Sequence, residues 1–363
     1  PQIDVGMRYV PLHSICRPKQ WKTIASSKLR DEGYPVYGAN GIIGYHDEFN
    51  HEHPTLLITC RGATCGKLNV SKPFSYINGN AMALDDLSGE VDLNFLAYFL
   101  AHRGFEDVIS GSAQPQITGQ GLKEVFIPQP PIEEQKRIAG ILDEADRVRK
   151  KTQALIDKYD ELAQSLFLDM FGDPVTNPKS FPNRQIGDYL SILSGFAFSS
   201  KKFNKEGVGM PLIRIRDVGR HYSETYFEGQ YHEKFIVKRG DVLVGMDGDF
   251  RLSEWRGERA LLNQRVCRLQ ADEVSLTKGF MIAALPSELQ RIEDSTSYAT
   301  VKHLSAKKIN GITIPLPPIE MQRKFDVQIG KLDLMRSIAE KELKREEACF
   351  SSLLQRAFKG ELT

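Results

Sequence analysis

From Ile132 onward the chain sets apolar residues at alternating intervals of three and four. One seven-residue series is Ile138, Ala145, Thr152, Tyr159 and Leu166, and its companion is Leu142, Arg149, Ile156 and Ala163. The same intervals return after Ile319, as Phe325, Leu332, Ala339, Glu346 and Leu353 with Ile329, Arg336, Leu343 and Phe350. Such spacing predicts a heptad seam on each of two helices. Each helix should run about forty residues, or roughly 60 Å at 1.5 Å per residue. A helix that long with one apolar stripe needs a partner, and the other copy is the obvious one. Packing of each helix on its own globular domain is the plainer alternative. The pairing positions are then Ile138, Leu142, Ala145, Ile156, Tyr159 and Leu166 with Phe325, Ile329, Leu332, Leu343, Phe350 and Leu353. Arg149, Arg336 and Glu346 interrupt the seam, and polar residues there weaken a coiled coil but fix its partner and register.

The helices open on a repeat. "IPQPPIEEQKR" (Ile127 to Arg137) and "IPLPPIEMQRK" (Ile314 to Lys324) lie 187 positions apart and share seven of eleven residues. With that offset fixed, Ser165-Leu166 and Phe171 fall on Ser352-Leu353 and Phe358, while Ile117-Thr118 and Leu122 fall on Leu304-Ser305 and Ile309. No gap is needed, as expected of a rigid rod. The Pro-rich run fixes φ and removes donors, so it is extended and the helix begins after it.

Ahead of each repeat lie short β-prone runs punctuated by Gly, Asn and Asp. The first set is "YPVYGANGIIGYH", "PTLLITCRGATCGKLNV" and "FSYINGNAMALDD"; the second is "MPLIRIRDVG", "KRGDVLVGMDGDF" and "RALLNQRVCRLQ". "VDLNFLAYFLAHRGFEDVIS" and "TKGFMIAALPSELQRIED" read as helices. The expected order is a module over 1–126, a helical region over 127–171, a Gly/Pro/Asn-rich linker over 172–183, a second module over 184–313, and a second helical region over 314–363. The fold class is α+β. Two mainly-β modules with short helices are separated by two long helices packed as an antiparallel coiled coil, related by an approximate two-fold axis.

A chain of 363 residues suits two such units better than one core. The five cysteines are scattered, which fits a reducing compartment rather than a disulfide framework. His46, His51, His53, Cys60 and Cys65 lack paired metal-ligand spacing, so no metal is expected. Without an 18-residue apolar run or a signal-peptide pattern, the expectation is a cytoplasmic protein with no membrane partner. The net charge of +1 is uninformative until divided. Residues 172–313 hold 21 Lys+Arg against 17 Asp+Glu, and residues 1–126 hold 11 against 13. Binding to a polyanion would rest on local patches.

Polar residues at predicted strand ends and turns supply such patches. In the first module they are Tyr37, Asn40, Tyr45, Thr59, Arg61 and Lys67, with Gln114 and Gln116 in the loop "GSAQPQIT". In the second they are Arg214, Arg216, Asp247, Arg251, Asn263, Gln264 and Arg265, with Lys302 and His303 in the matching loop "SYATVKHLS". Arg, Asn and Gln make bidentate contacts with guanine or adenine edges, while Tyr, Thr and Lys reach phosphates. Taken singly, each is also ordinary turn chemistry.

Catalytic patterns are missing. There is no phosphate-binding Gly-rich loop, no G-x-S-x-G elbow, no H-E-x-x-H, and no Asn/Asp-Pro-Pro-aromatic tetrapeptide. A standalone nuclease or methyltransferase therefore has no visible machinery. A coiled-coil protein–protein adaptor without DNA specificity is the alternative to a DNA-binding scaffold.

The doubled "IPxPPIExQ" run opening a long helix, and the tail "SLLQRAFKGEL", resemble the specificity subunits of type I restriction-modification systems. "YPVYGANGIIGY", "GSAQPQIT", "GDVLVGMDGD" and "LLNQRVCRL" are similar to stretches of that family's target-recognition domains. The likeness covers nearly the whole chain. It implies two target-recognition domains, each reading half of a bipartite double-stranded DNA site. It implies that the paired helices set the unread spacer and dock two methyltransferase subunits, with restriction/translocase subunits joining them. S-adenosylmethionine, ATP and Mg would sit on those partners, leaving this chain with no catalytic residues and no cofactor. The assembly would be an adenine-N6 methyltransferase and ATP-dependent endonuclease.

Overall fold

The computed structural model describes residues 8–111, 114–295 and 302–362. Residues 112–113 of the first matching loop and 297–301 of the second lie outside the described residues. By contacts the chain divides into two units, cut in the middle of each long helix. The first holds the residues up to Ala154 with those from Glu340 on; the second is Leu155–Ala339.

The first unit contains β1 (Tyr9–Pro11), β2 (Arg17–Gln20), β3 (Tyr34–Gly38), β4 (Gly41–His46), β5 (Leu56–Thr59), β6 (Leu68–Val70), β7 (Tyr76–Ile77) and β8 (Ala81–Asp85). Helix α1 (Leu93–Arg103), β9 (Phe126–Pro128) and the first half of α2 (Ile132–Phe171) follow. One sheet runs β2-β8-β5-β6, another β4-β3-β7, and β1 pairs with β9. Among the described residues of this unit, β3–β7 is the one parallel strand pairing. Every residue of β5 and β8 is buried, so these central strands read as continuous apolar runs rather than alternating ones. Helix α1 starts because the Asp92 carboxylate accepts the Phe95 amide at 2.9 Å, and stops at Gly104, whose φ of +71° suits glycine.

The second unit takes the rest of α2, then β10 (Asn183–Gln185), β11 (Leu190–Ser194), β12 (Phe203–Asn204), β13 (Met210–Ile213), β14 (Tyr226–Phe227) and β15 (Ile236–Val237). After these come β16 (Val242–Gly245), β17 (Leu252–Glu254), β18 (Ala260–Leu262), β19 (Val266–Ala271), α3 (Lys278–Ser295), α4 (Ala306–Asn310), β20 (Thr313–Pro315) and the first half of α5 (Ile319–Phe358). The order β11-β19-β16-β17 repeats β2-β8-β5-β6, and β10–β20 repeats β1–β9. The central β14-β13-β18 repeats β4-β3-β7, parallel pair included, with β12 and β15 added at the edges. The two modules share one α+β fold.

Within each unit the two helix segments run antiparallel. In the first, the Thr152 hydroxyl donates to Glu346 Oε1 at 2.9 Å, and Arg149 lies 4.8 Å over the Phe350 ring. Nearer the α2 start, Ile138 and Leu142 cluster with Phe350 and Ala357. In the second, Arg336 pairs with Asp160 at 3.0 Å, and Phe325 meets Phe167 and Phe171 at ring distances of 5.7 and 5.3 Å. All the heptad positions named above, the twelve pairing residues among them, are buried or half-buried.

The repeated motif holds each helix to its module. Ile127 and Ile314, both 1% exposed, lie in β9 and β20, which close the β1 and β10 edges. The next strong feature is a glutamine with no exposure, Gln135 or Gln322. Gln135 Nε2 donates to the carbonyls of Glu90 (3.0 Å) and Pro130 (2.8 Å), and its Oε1 accepts the Asp92 amide at 2.9 Å. Gln322 Nε2 donates to the carbonyls of Ser275 (2.9 Å) and Pro317 (2.8 Å), and its Oε1 accepts the Thr277 amide at 2.9 Å. Asp92 and Thr277 each immediately precede a module helix. One side chain thus satisfies three main-chain groups that burial would otherwise leave unpaired. The far end of the other long helix adds an aromatic: Phe358 lies 5.6 Å from Phe95 of α1, and Phe171 lies 4.9 Å from Phe280 of α3.

Candidate nucleic-acid interface

In each unit the ladder continues past a fully buried strand and grips the loop ahead of the Pro-rich run. After β5, the Gly62 amide donates to Pro115 O at 3.1 Å, and the Ile117 amide donates to Cys60 O at 3.0 Å. After β16, the Gly248 amide donates to Lys302 O at 3.0 Å, and the Leu304 amide donates to Met246 O at 2.8 Å. The bridges place Arg61 opposite Gln116 and Asp247 opposite His303. The same backbone therefore carries different side chains in the two modules.

In the first unit, Arg61, Lys67, Gln114 and Gln116 are exposed around this strand end. The Thr59 hydroxyl donates to Ala39 O and pins the β3–β4 turn, with exposed Asn40, beside them. Thr59 itself is 1% exposed and Tyr37 6%. The Tyr37 hydroxyl accepts the Lys72 amide at 3.1 Å, so both side chains are occupied inside the fold and not offered to a ligand. Tyr45 is half-buried and pairs through its backbone with Arg30.

In the second unit, exposed Arg214 precedes the turn Ile215–Asp217 and exposed Arg216 lies within it. A Cβ on Gly245 would stand 3.0 Å from Ile215 Cγ1, so that turn packs on the end of β16 and only a glycine fits without a shift. Exposed Arg251 pairs with exposed Asp249 at 2.9 Å. The β18–β19 turn presents exposed Gln264 and Arg265, while Asn263 is 8% exposed and uses its Oδ1 to accept the Gln264 amide at 2.9 Å. Asn263 is thus a turn-forming residue rather than a surface one. His303 Nδ1 meets Asp247 Oδ1 at 2.7 Å, and Arg265 meets the other carboxylate oxygen. Lys302 is half-buried and pairs with Glu293 at 3.3 Å.

Three residues outside the sequence-derived set share these edges. Ile42 and Ile43 of β4 are 42% and 44% exposed, next to the pinned turn. Neighbours in a regular strand face opposite ways, but the register shift between Val36 and Tyr37 breaks that rule here. The adjacent-isoleucine pair was the only sequence signal. Phe196 is 50% exposed and bridges to Asn263; its chain position carried no signal.

The histidines and cysteines considered for a metal do other work. His51 Nε2 meets Asp85 Oδ1 at 2.9 Å, and the Cys60 thiol lies 3.3 Å from Asn80 O. Among the described residues no three of His, Cys, Asp or Glu cluster closely enough to hold a metal ion. Among them, too, no helix is long and apolar enough to cross a membrane.

The sequence profile of the type I restriction modification DNA specificity domain matches residues 5–158 and again residues 178–341. The type I restriction enzyme EcoBI specificity subunit of Escherichia coli is 40% identical over 177 residues, covering 48% of this chain and 37% of that protein. The MjaVIII specificity subunit of Methanocaldococcus jannaschii is 23% identical over 335 residues, covering 85% of this chain and 79% of that protein. A crystal structure of a type I restriction-modification S subunit from M. genitalium superposes with a TM-score of 0.65 at 17% identity, covering 98% of both chains.

Proposed function

Because the chain belongs to the family of type I restriction modification DNA specificity domains, we propose that it is the DNA-recognising subunit of such a complex. Each module reads one half of a bipartite duplex site. The observation that carries this reading is the strand-end loop pair, where matching backbone bridges present Arg61 and Gln116 in one unit and Asp247 and His303 in the other, the latter with Arg265 of the β18–β19 turn beside Asp247. A scaffold that repeats while its exposed polar groups change is what two different half-sites require.

The long helices set the unread spacer, about five to eight base pairs given how dimers space half-sites. They also dock two methyltransferase subunits, to which restriction/translocase subunits are added in the cytoplasm. S-adenosylmethionine, ATP and Mg belong to those partners, and base flipping is the methyltransferase's work. This chain supplies selection and not chemistry.

The test is to map adenine methylation across the host genome with the gene intact and deleted. The expected result is loss of one two-part motif with a fixed gap. Unchanged methylation, together with duplex binding by the purified complex that does not weaken with salt, would leave a protein–protein adaptor instead. Lengthening both helices by one heptad should widen the gap and leave both half-sites unchanged; an altered half-site refutes the spacer role.

A further inference from the structure

We propose that Arg265 reads a guanine in the half-site of the second module, and that Asp247 is the positioning residue that aims it. The inference rests on the DNA-recognition reading above. Several guanidinium groups lie along β16 and the turns around it, and they differ in how they are held. Arg251 is paired only with Asp249, and both side chains are more than half exposed, so neither fixes the other. Arg216 reaches Thr225 at 3.3 Å and stands 3.8 Å from Asp217. Arg268 is turned inward, onto Asp241 and the Ile236 carbonyl.

Arg265 is held differently. Its guanidinium is 56% exposed, but the carboxylate gripping it, Asp247, is only 11% exposed. The backbone fixes both residues. The Met246 amide donates to Arg265 O at 2.9 Å, and the Val266 amide closes the turn onto Asn263 O at 2.9 Å. On the other flank the Leu304 amide donates to Met246 O at 2.8 Å. Asp247 therefore stands between two tethered segments, with Arg265 on one side and His303 on the other.

The contact uses Arg265 Nη1. Nε and Nη2 donate no hydrogen bond among the described residues, which leaves two donors for a ligand. Two adjacent N–H donors on a planar group match the O6 and N7 acceptors of guanine in the major groove. An arginine paired with a mostly buried carboxylate has already given up part of the side-chain freedom that a free one loses on binding. It is thus suited to discriminating a base, whereas a loosely held arginine suits a phosphate.

The experiment uses the full chain in its native complex and duplex pools carrying the mapped motif with each half-site randomised in turn. Variants are Arg265→Ala, Asp247→Asn and Asp247→Glu. The wild-type complex should prefer guanine at one position by roughly 5- to 150-fold, the discrimination of a bidentate contact. Replacing that base by 7-deazaguanine, which lacks the N7 acceptor, should cost much of the preference. Arg265→Ala should abolish the preference there alone. Asp247→Asn should weaken it, and Asp247→Glu should retain part of it. Continued selection at the other half-site reports that each variant is folded. Uniform weakening across all sequences, with a salt slope reduced by about one, would make Arg265 a phosphate contact and overturn the inference. A guanine preference that survives Arg265→Ala overturns it too, and one lost in Arg265→Ala but intact in Asp247→Asn overturns the positioning role. A wild-type complex with no sequence preference sinks the DNA reading itself.

Discussion

Replacing Gln322 by leucine keeps the bulk of the side chain and removes all three of its hydrogen bonds. The Thr277 amide and the carbonyls of Ser275 and Pro317 lose their partner at once. Thr277 is 2% exposed and Pro317 is buried, so water does not replace the glutamine there. An unsatisfied buried group costs about 1–3 kcal/mol, and for three groups sharing one site about 3–5 kcal/mol is expected. Gln135→Leu breaks the matching bonds, but Glu90 is exposed and its carbonyl rehydrates, which lowers the cost to about 1–3 kcal/mol. Gln322→Glu should be worse than leucine, because a carboxylate would face two carbonyls in a buried site. A two-unit chain does not melt in one step, so the readout is native-state hydrogen exchange at individual amides. The Thr277 amide should lose roughly 10²- to 4×10³-fold in protection in Gln322→Leu, at 1.4 kcal/mol per decade. The Asp92 amide in Gln135→Leu should lose less. Equal losses at the two sites, or a loss under tenfold at Thr277, would refute the reasoning.

Other consequences are checked more simply. Glu346 sits half-buried in the seam with Oε2 unbonded, so Glu346→Leu combined with Thr152→Val should stabilise the first unit by about 1–2 kcal/mol, read as raised hydrogen-exchange protection of its amides; lowered protection would show that the pair stabilises the seam. Burial raises the Asp326 carboxyl above its ordinary value of 3.8, against the opposing bonds from Thr277 and Gly279. The folded state then holds that proton to higher pH than the unfolded state. Its stability should fall as pH rises from about 3.8 through the raised value and be flat above. Asp326→Asn should lack that fall, and parallel pH profiles would contradict it. Burial pushes the Cys16 and Cys267 thiols up to about 12, whereas Cys349 is exposed. An alkylating reagent at pH 8 should label Cys349 in the native chain and reach Cys16 and Cys267 only on unfolding.

The helices were the most legible part of the fold. Their period is local and their start is marked by proline, so the seam and the start at Ile132 and Ile319 could be read directly. Their grouping could not: contacts assign half of each helix to a different unit, which depends on tertiary packing alone. The β-prone runs were visible, but the parallel β3–β7 and β13–β18 pairings join segments far apart in sequence and leave no local trace. At the candidate interface, strand ends and turns pointed to residues that the fold brings together across the strand-end bridges. Which polar group faced out was not readable. Tyr37 and Thr59 lie in strands without clear polar alternation, and their hydroxyls were taken up by Lys72 and Ala39. Asp247 could not be told from ordinary turn chemistry because its partners, Arg265 and His303, are 18 and 56 residues away.

The glutamine joint has a consequence for how such a protein changes over generations. Gln135 and Gln322 recognise their modules through main-chain groups of Glu90, Asp92, Ser275 and Thr277, and main-chain groups are the same whatever residue bears them. The far helix end packs against a phenylalanine that both modules have, Phe95 or Phe280, with Phe99 and His102 also against Phe358 in the first. Inheritance can therefore exchange a whole module, or let its surface drift, while this joint is kept, and the compensating changes fall on side-chain contacts such as Tyr98 with Asp143 and Thr277 with Asp326. New targets become accessible by transplanting existing parts as well as by refining old ones.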